Sequence, residues 1–226
     1  MATRPFPIDP KLTAIALAYR NPDVSLIADL VLPRTPTASE FKWLLYDLAQ
    51  GFTVPDTKVG RKSYPTEVEF NATEQISKVI DQGLDDFIPQ EDIDDDNQGV
   101  DPRGTAVQYM SNLISLAREQ RVASLVFANA TYGAANKVTL AGTSQWSDEV
   151  NSNPVSAISD AMDAMIYRPN VHTFGQAAWT KTRRHPKLVQ AIKGTNQGAG
   201  MVSRQEYADF FEIAEVLVGA GWVNTA

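Results

Sequence analysis

Phe41, Trp43 and Leu45 alternate with Lys42 and Leu44, and Val68 and Phe70 alternate with Glu67 and Glu69. A period of two marks strands, whose successive side chains point to opposite faces. The two runs predict the arms of a long β-hairpin. Residues 51–65 between them are largely polar and carry the basic Lys58, Arg61 and Lys62. Hairpin loops usually run to about five residues at most, so this connection is expected to project and to serve a function. The apolar spacing of 73–83 predicts a helix. A much longer one follows over 101–132, capped by Asp101 with Pro102 at its first position. Val107, Met110, Ile114 and Ala117, with Leu113 beside them, form its apolar stripe. About 30 residues at 1.5 Å each make a rod of roughly 45 Å, a spine rather than a core helix. Residues 138–140 read as a short strand.

The last third alternates helix and strand signals. Asn153 and Pro154 open a helix whose Val155, Ile158, Met162 and Met165 share a face. Residues 170–174 read as a strand and 175–184 as a helix. Pro186 restarts a helix that Gly194 stops. Ser203 with Glu206 three residues on predicts a capping box, followed by a helix to about residue 212 and a strand over 215–218.

The first 37 residues differ from the rest. Pro5, Pro7, Pro10, Pro22, Pro33 and Pro36 are six of the 13 prolines. Proline fixes φ and donates no backbone hydrogen bond, so this zone predicts an extended arm, with a short helical turn only at 12–19. Its apolar Ile8, Leu12, Ile15, Leu26, Ile27, Leu30 and Leu32 imply that the arm lies on another surface.

Composition narrows the classes. The absence of cysteine excludes a disulfide scaffold, a thiolate metal site and a cysteine nucleophile. A net charge of −7 argues against a nucleic-acid binder, which needs surplus positive charge over phosphate. The longest apolar runs, 122–128 and 213–223, fall short of the roughly 20 residues that span a bilayer. The acid is concentrated: Asp81, Asp85, Asp86, Glu91, Asp92, Asp94, Asp95, Asp96 and Asp101 occur between residues 79 and 102 without one basic residue.

Chemical motifs fail their tests. A calcium loop started at Asp94 puts Asp96, Gln98 and Gly99 in place but Thr105 where the bidentate glutamate belongs; started at Asp92, it puts Arg103 there. A Ser–His–Asp site would have to use His172 or His185, the only histidines, and no Gly-x-Ser-x-Gly elbow exists. Ser39 and Lys42 fit Ser-x-x-Lys without its companion motifs. Gly194, Gly198 and Gly200 lack the spacing of a phosphate loop and predict a flexible loop. Lys181, Arg183, Arg184, His185 and Lys187 form the densest basic cluster, read as a solvated or subunit-facing helix edge. No cofactor, metal or catalytic residue is assigned.

An apolar arm, a protruding hairpin and separated acidic and basic zones fit contacts between chains better than chemistry within one. In that order they resemble the major capsid proteins of tailed bacteriophages, with the Hong Kong 97-like fold. The resemblance rests on "FKWLLYDLAQGFTVPDTKVGRKSYPTEVEF" at 41–70, "SLVFANATY" at 124–132, "LAGTSQWSD" at 140–148, "RRHPKLVQAIKG" at 183–194 and "EVLVGAGWVNTA" at 215–226. It implies an α+β fold with an N-terminal arm (1–37), an extended hairpin loop (38–72), a peripheral domain containing the spine helix (73–150) and an axial α/β domain (151–226). It also implies a shell of pentamers and hexamers around double-stranded DNA that is enclosed without sequence-specific binding. Scaffolding protein and portal are further implied partners, with no membrane; assembly would occur in the host bacterial cytoplasm. Lys58, Arg61 and Lys62 are expected to meet Asp94, Asp95 and Asp96 of a neighbouring copy. The family's covalent lysine–asparagine joining has no motif here. The final strand also implies that the family's returning strands would follow Ala226, which would leave Val218 and Trp222 partly exposed. An encapsulin-like nanocompartment shares the fold and is the nearest alternative. An α/β enzyme using His172 or His185 and a monomeric binding module are the others.

Overall fold

The computed structural model describes residues 11, 12, 15, 26–94, 101–194 and 198–224. They fall into two compact units, Arg34–Gly83 and the rest of the chain.

The smaller unit is a two-stranded antiparallel ribbon. Strand β1 (Glu40–Tyr46) pairs with β2 (Ala72–Lys78) in a register running from Glu40 opposite Lys78 to Tyr46 opposite Ala72. The Val79 N–H to the Ser39 carbonyl, at 2.8 Å, extends the ladder by one step. A reciprocal pair sets where the strands part: Gln50 Nε2 donates to the Asn71 carbonyl and Asn71 N–H donates to Gln50 Oε1, both at 3.0 Å. Farther out, Thr66 Oγ1 donates to the Asp56 carbonyl at 2.8 Å. The hairpin is therefore as expected on its first arm and displaced on its second. Val68 and Phe70 lie in the connection, and residues expected as the 73–83 helix form the return strand. Ile76, Val79 and Ile80 carry a helical spacing, but a seven-residue ladder with β1 satisfies the backbone and overrides local preference.

In the larger unit, α1 (Ala28–Val31) is a single turn inside the zone expected to be extended. Positions 11, 12 and 15 are helical, while the remainder of the expected 12–19 turn lies outside the described residues. A short helix α2 (Gln90–Asp94) precedes α3 (Pro102–Val126), which is about 38 Å long at 1.5 Å per residue. Asp101 caps α3 by accepting the Arg103 N–H at 3.0 Å, with Pro102 just inside. The helix ends short of residue 132, in turns. Its buried positions are Gly104, Ala106 and Val122, whereas Leu113 is 55% and Ile114 38% exposed. The expected stripe thus does not face the core. Contact comes instead from Leu116, Glu119, Val122, Ala123 and Val126, which border an apolar cavity of about 280 Å³ with Ile27 and the ends of β3 and β4.

The last third of the chain follows the sequence closely: α4 (Pro154–Asp163), β3 (Val171–Gly175), α5 (Gln176–Arg183), α6 (Pro186–Lys193), α7 (Arg204–Phe211) and β4 (Glu215–Gly219). Strands β3 and β4 are parallel, Val171 opposite Glu215 and Gly175 opposite Gly219, connected through the three helices. Each helix start and stop has its own chemistry. Ser203 Oγ accepts the Glu206 N–H at 3.1 Å, and Glu206 Oε2 accepts the Ser203 N–H at 2.7 Å. Gly194 closes α6 at φ +64°, a region where a Cβ would be strained. Residues 138–140 join no ladder, so the strand expected there is absent.

Tyr207 sits at the centre of the core, fully buried, with the rings of Phe211, Trp179, Phe174 and His172 at 4.7, 5.5, 5.7 and 5.8 Å. Leu188, Val189, Val202 and Val218 are likewise sealed. Val218 is therefore a core residue, contrary to expectation, because a parallel strand is covered on both faces. Trp222 is 88% exposed.

Candidate functional site

Register decides what the hairpin presents. On one face, Phe41, Trp43 and Leu45 stand opposite Ser77, Gln75 and Thr73. That face carries no charge, and the Phe41 and Trp43 rings stack at 5.6 Å. On the other, Glu40, Lys42, Leu44 and Tyr46 stand opposite Lys78, Ile76, Glu74 and Ala72. Lys42 Nζ meets Glu74 Oε1 there at 2.6 Å. All four charges of the paired strands thus lie on one face, and the aromatic stripe lies on the other. No residue of 34–83 is buried. An isolated two-stranded ribbon is at best marginal in water, so a unit without a core must draw its order from a further surface.

The connection carries Lys58, Arg61 and Lys62, all exposed. Asp56 fixes the local backbone by accepting the Lys58 N–H at 3.0 Å, and the Ser63 N–H closes a turn on the Gly60 carbonyl at 3.1 Å. Asp81, Asp85, Asp86, Glu91, Asp92 and Asp94 are exposed too. Asp94 accepts from Gln90 Nε2 at 2.8 Å at the end of α2. Asp95 and Asp96 lie outside the described residues. The basic trio belongs to one unit and Asp94 to the other. Among the described residues, no group of three His, Asp or Glu is arranged to hold a metal ion, and no helix is long and apolar enough to cross a membrane.

The histidines do structural work. His172 Nδ1 lies 3.0 Å from the Tyr207 hydroxyl; burial lowers the histidine's pKa and raises that of the phenol, the reverse of nucleophile activation. His185 Nε2 lies 2.9 Å from Ser152 Oγ, a pairing that no spacing rule suggested. Both residues are sealed from solvent, at 0% and 2% exposure, and His185 Nδ1 meets no partner. A serine–histidine contact without solvent access or an orienting carboxylate has no route to a substrate.

The basic cluster is also divided. Arg184 pairs with Glu149 at 3.5 Å, and Lys187 Nζ donates to the Ser152 carbonyl at 2.7 Å. The glycine turn follows backbone demands: Gly198 has φ +59°, and a Cβ there would come within 2.9 Å of Pro186 Cβ.

Sequence reasoning also missed how the segment before the hairpin is held. Glu119 Oε2 accepts the N–H groups of Ile27 and Ala28 at 3.0 and 2.7 Å. Its neighbour Arg118 donates to Asp29 at 2.7 Å and to the Leu32 carbonyl at 2.8 Å. Gly219 and Gly221 pass close by, where a Cβ would meet Ile27 Cδ1 at 3.3 Å or Leu26 Cδ2 at 3.4 Å.

A coreless ribbon in one unit and a packed α+β core in the other describe a structural protein built to meet other chains, and the comparisons agree. The family model described as phage major capsid protein E matches residues 119–221. A major capsid protein of Pseudomonas phage JBD67 is 51% identical over 227 residues, spanning all of this chain and 72% of that protein. One from Burkholderia phage BcepMu is 28% identical, over 94% of this chain and 68% of its own. Among solved structures, a phage-related protein from Bordetella bronchiseptica RB50 superposes with a TM-score of 0.71 at 26% identity, over 97% of this chain and 71% of that one. The chain belongs to the phage major capsid proteins: it is a structural protein of the phage head, and its partners are copies of itself.

Proposed function

We propose that the subunit adopts a Hong Kong 97-like arrangement and closes, through pentamers and hexamers, into an icosahedral head around double-stranded DNA. The arm is 1–37, the extended loop 38–72, the peripheral domain 73–150 and the axial domain 151–226. The absence of any buried residue in 34–83 carries this reading. A ribbon without a core is ordered by what covers it, and in a self-assembling family that is a neighbouring copy. The uncharged face with Phe41, Trp43 and Leu45 docks, because burying it leaves no charge to desolvate. The face with the Lys42–Glu74 pair stays wet.

Lys58, Arg61 and Lys62 then lie against Asp94, Asp95 and Asp96 of that neighbour. Such pairing orients and accelerates encounter more than it adds affinity, which suits stepwise closure of a shell. Scaffolding protein and portal take part during assembly in the host bacterial cytoplasm. The net charge of −7 favours an inner wall that encloses DNA without gripping it. Charge reversal tests the pairing: Arg61→Glu with Lys62→Glu slows assembly and leaves the subunit's circular dichroism unchanged. Normal assembly of the double variant contradicts it.

A further inference from the structure

His185 and Ser152 join two parts of the axial region that are far apart in sequence. Ser152 Oγ donates its one proton to the Asp148 carbonyl at 2.6 Å. Toward His185 Nε2, at 2.9 Å, the hydroxyl is therefore an acceptor, and Nε2 carries the ring proton. Nδ1 is left as a bare nitrogen, buried, with no hydrogen-bond partner. A second proton at Nδ1 would place a charged donor where nothing accepts it, and leaving such a group unpaired in the interior is costly.

The segment that this contact holds is compact. Asp148 accepts the N–H groups of Val150 and Asn151 at 3.1 and 3.0 Å and the Asn151 side-chain amide at 2.9 Å. Lys187 Nζ reaches the Ser152 carbonyl at 2.7 Å, and Asn153 begins α4 as its cap. The histidine itself is the N-cap residue of α6. Lys187 and the Arg184–Glu149 pair also reach this segment, so breaking the Ser152–His185 contact removes its buried side-chain tie to the junction of α5 and α6 and leaves it on more exposed ones.

We propose that His185 and Ser152 form an acid-sensitive latch, in which protonation of the ring at Nδ1 releases residues 148–153 while the rest of the axial core stays folded.

The charged groups around the ring sharpen the window. Burial is the largest influence on His185 and lowers its pKa; Lys187 acts the same way, while the Asp148 carbonyl and the carboxylates of Glu149 and Asp148 oppose them, leaving it below the usual value of 6.5. Arg184, from α5, is engaged with Glu149 at 3.5 Å. Asp148 titrates below its usual 3.8, chiefly through the Asn151 side-chain hydrogen bond, and so stays ionised between about pH 5 and about pH 7.5. With the closed state resisting the proton and the open state accepting it, opening becomes progressively less costly as pH falls below 6.5.

Hydrogen exchange on the whole protein, at about pH 7.5 and about pH 5 with intrinsic rates corrected, reads the latch. The amides of 148–153 open more at the lower pH, and those of α7 and β4 do not. In His185→Gln the side-chain amide can still donate to Ser152 but cannot titrate, so the pH dependence of 148–153 disappears; in the control His172→Gln it remains. Equal protection of 148–153 at both pH values in the native protein overturns the proposal, as does an unchanged pH dependence in His185→Gln. Should His185→Gln fail to fold, NMR titration of the two histidine rings in the unmodified protein decides, with His172→Gln assigning them. A His185 midpoint clearly below 6.5 supports the latch, and one at or above it overturns it.

Discussion

Glu119 and Ala28 are 91 residues apart, and the carboxylate of the first accepts the backbone N–H of the second at 2.7 Å. The same oxygen takes the Ile27 N–H at 3.0 Å. Two donors at the start of a one-turn helix are satisfied by a negative charge from the spine, the arrangement a helix N-terminus favours. Glu119→Ala leaves both part-buried donors unpaired, at a cost of about 1–3 kcal/mol. It should lower the melting temperature and speed proteolysis at residues 26–33. Arg118→Ala should cost less, about 1 kcal/mol at most, since Asp29 is 46% exposed and surface pairs contribute little. Equal loss in the two variants, read by thermal melting, would contradict this ranking.

Tyr207 separates packing from hydrogen bonding. Tyr207→Phe keeps the aromatic cluster and removes only the hydroxyl at His172 Nδ1, at a cost of about 1 kcal/mol. Tyr207→Ala empties the centre of the core and should cost about 3–5 kcal/mol. Urea denaturation distinguishes them; similar midpoints would show that the ring does not hold the core.

The capping box at Ser203 predicts a response to acid. Glu206 accepts the backbone N–H and meets the side chain of Ser203, which lowers its pKa from 4.5. A depressed carboxyl pKa contributes stability that is present above 4.5 and lost as pH falls from there through the folded value. Glu206→Gln should therefore flatten the stability profile below about pH 4.5 and change little near neutrality. Ser203→Ala should cost about 1 kcal/mol at neutral pH. A Glu206→Gln profile as steep as that of the native protein would argue against the cap.

The two hairpin faces should respond differently. Leu45→Asp puts a charge on the dry face and should block assembly. Leu44→Asp, one residue away on the face that already holds Lys42 and Glu74, should be tolerated. Trp43 emission should shift to shorter wavelength on assembly as the ring leaves water. Identical behaviour of the two aspartate variants in light scattering would show that neither face is selected.

What could be read from sequence was whatever the chain decides locally. Asp101–Pro102, Asn153–Pro154, Ser203 with Glu206, and Gly194 each carry the chemistry of a helix end, and the structure uses all of them. Strand β2 was misread because Ile76, Val79 and Ile80 are spaced as on a helix, while its partner lies more than 30 residues earlier. Long-range pairing leaves no local mark. On α3 the apolar stripe leaves Leu113, Ile114 and Ala117 exposed, since Leu116, Glu119, Val122, Ala123 and Val126 make the inner contacts. The latch and the Glu119 clasp join residues 33 and 91 apart, and no periodicity could have announced them. The resemblance to capsid proteins succeeded because it used order and wording across the whole chain rather than any single element.

Sedimentation velocity on the protein expressed from its complete reading frame tests the central claim most directly. The account predicts fast boundaries from closed shells or capsomers, with the slow subunit fraction falling as concentration rises. A single slow monomer at every concentration would contradict it.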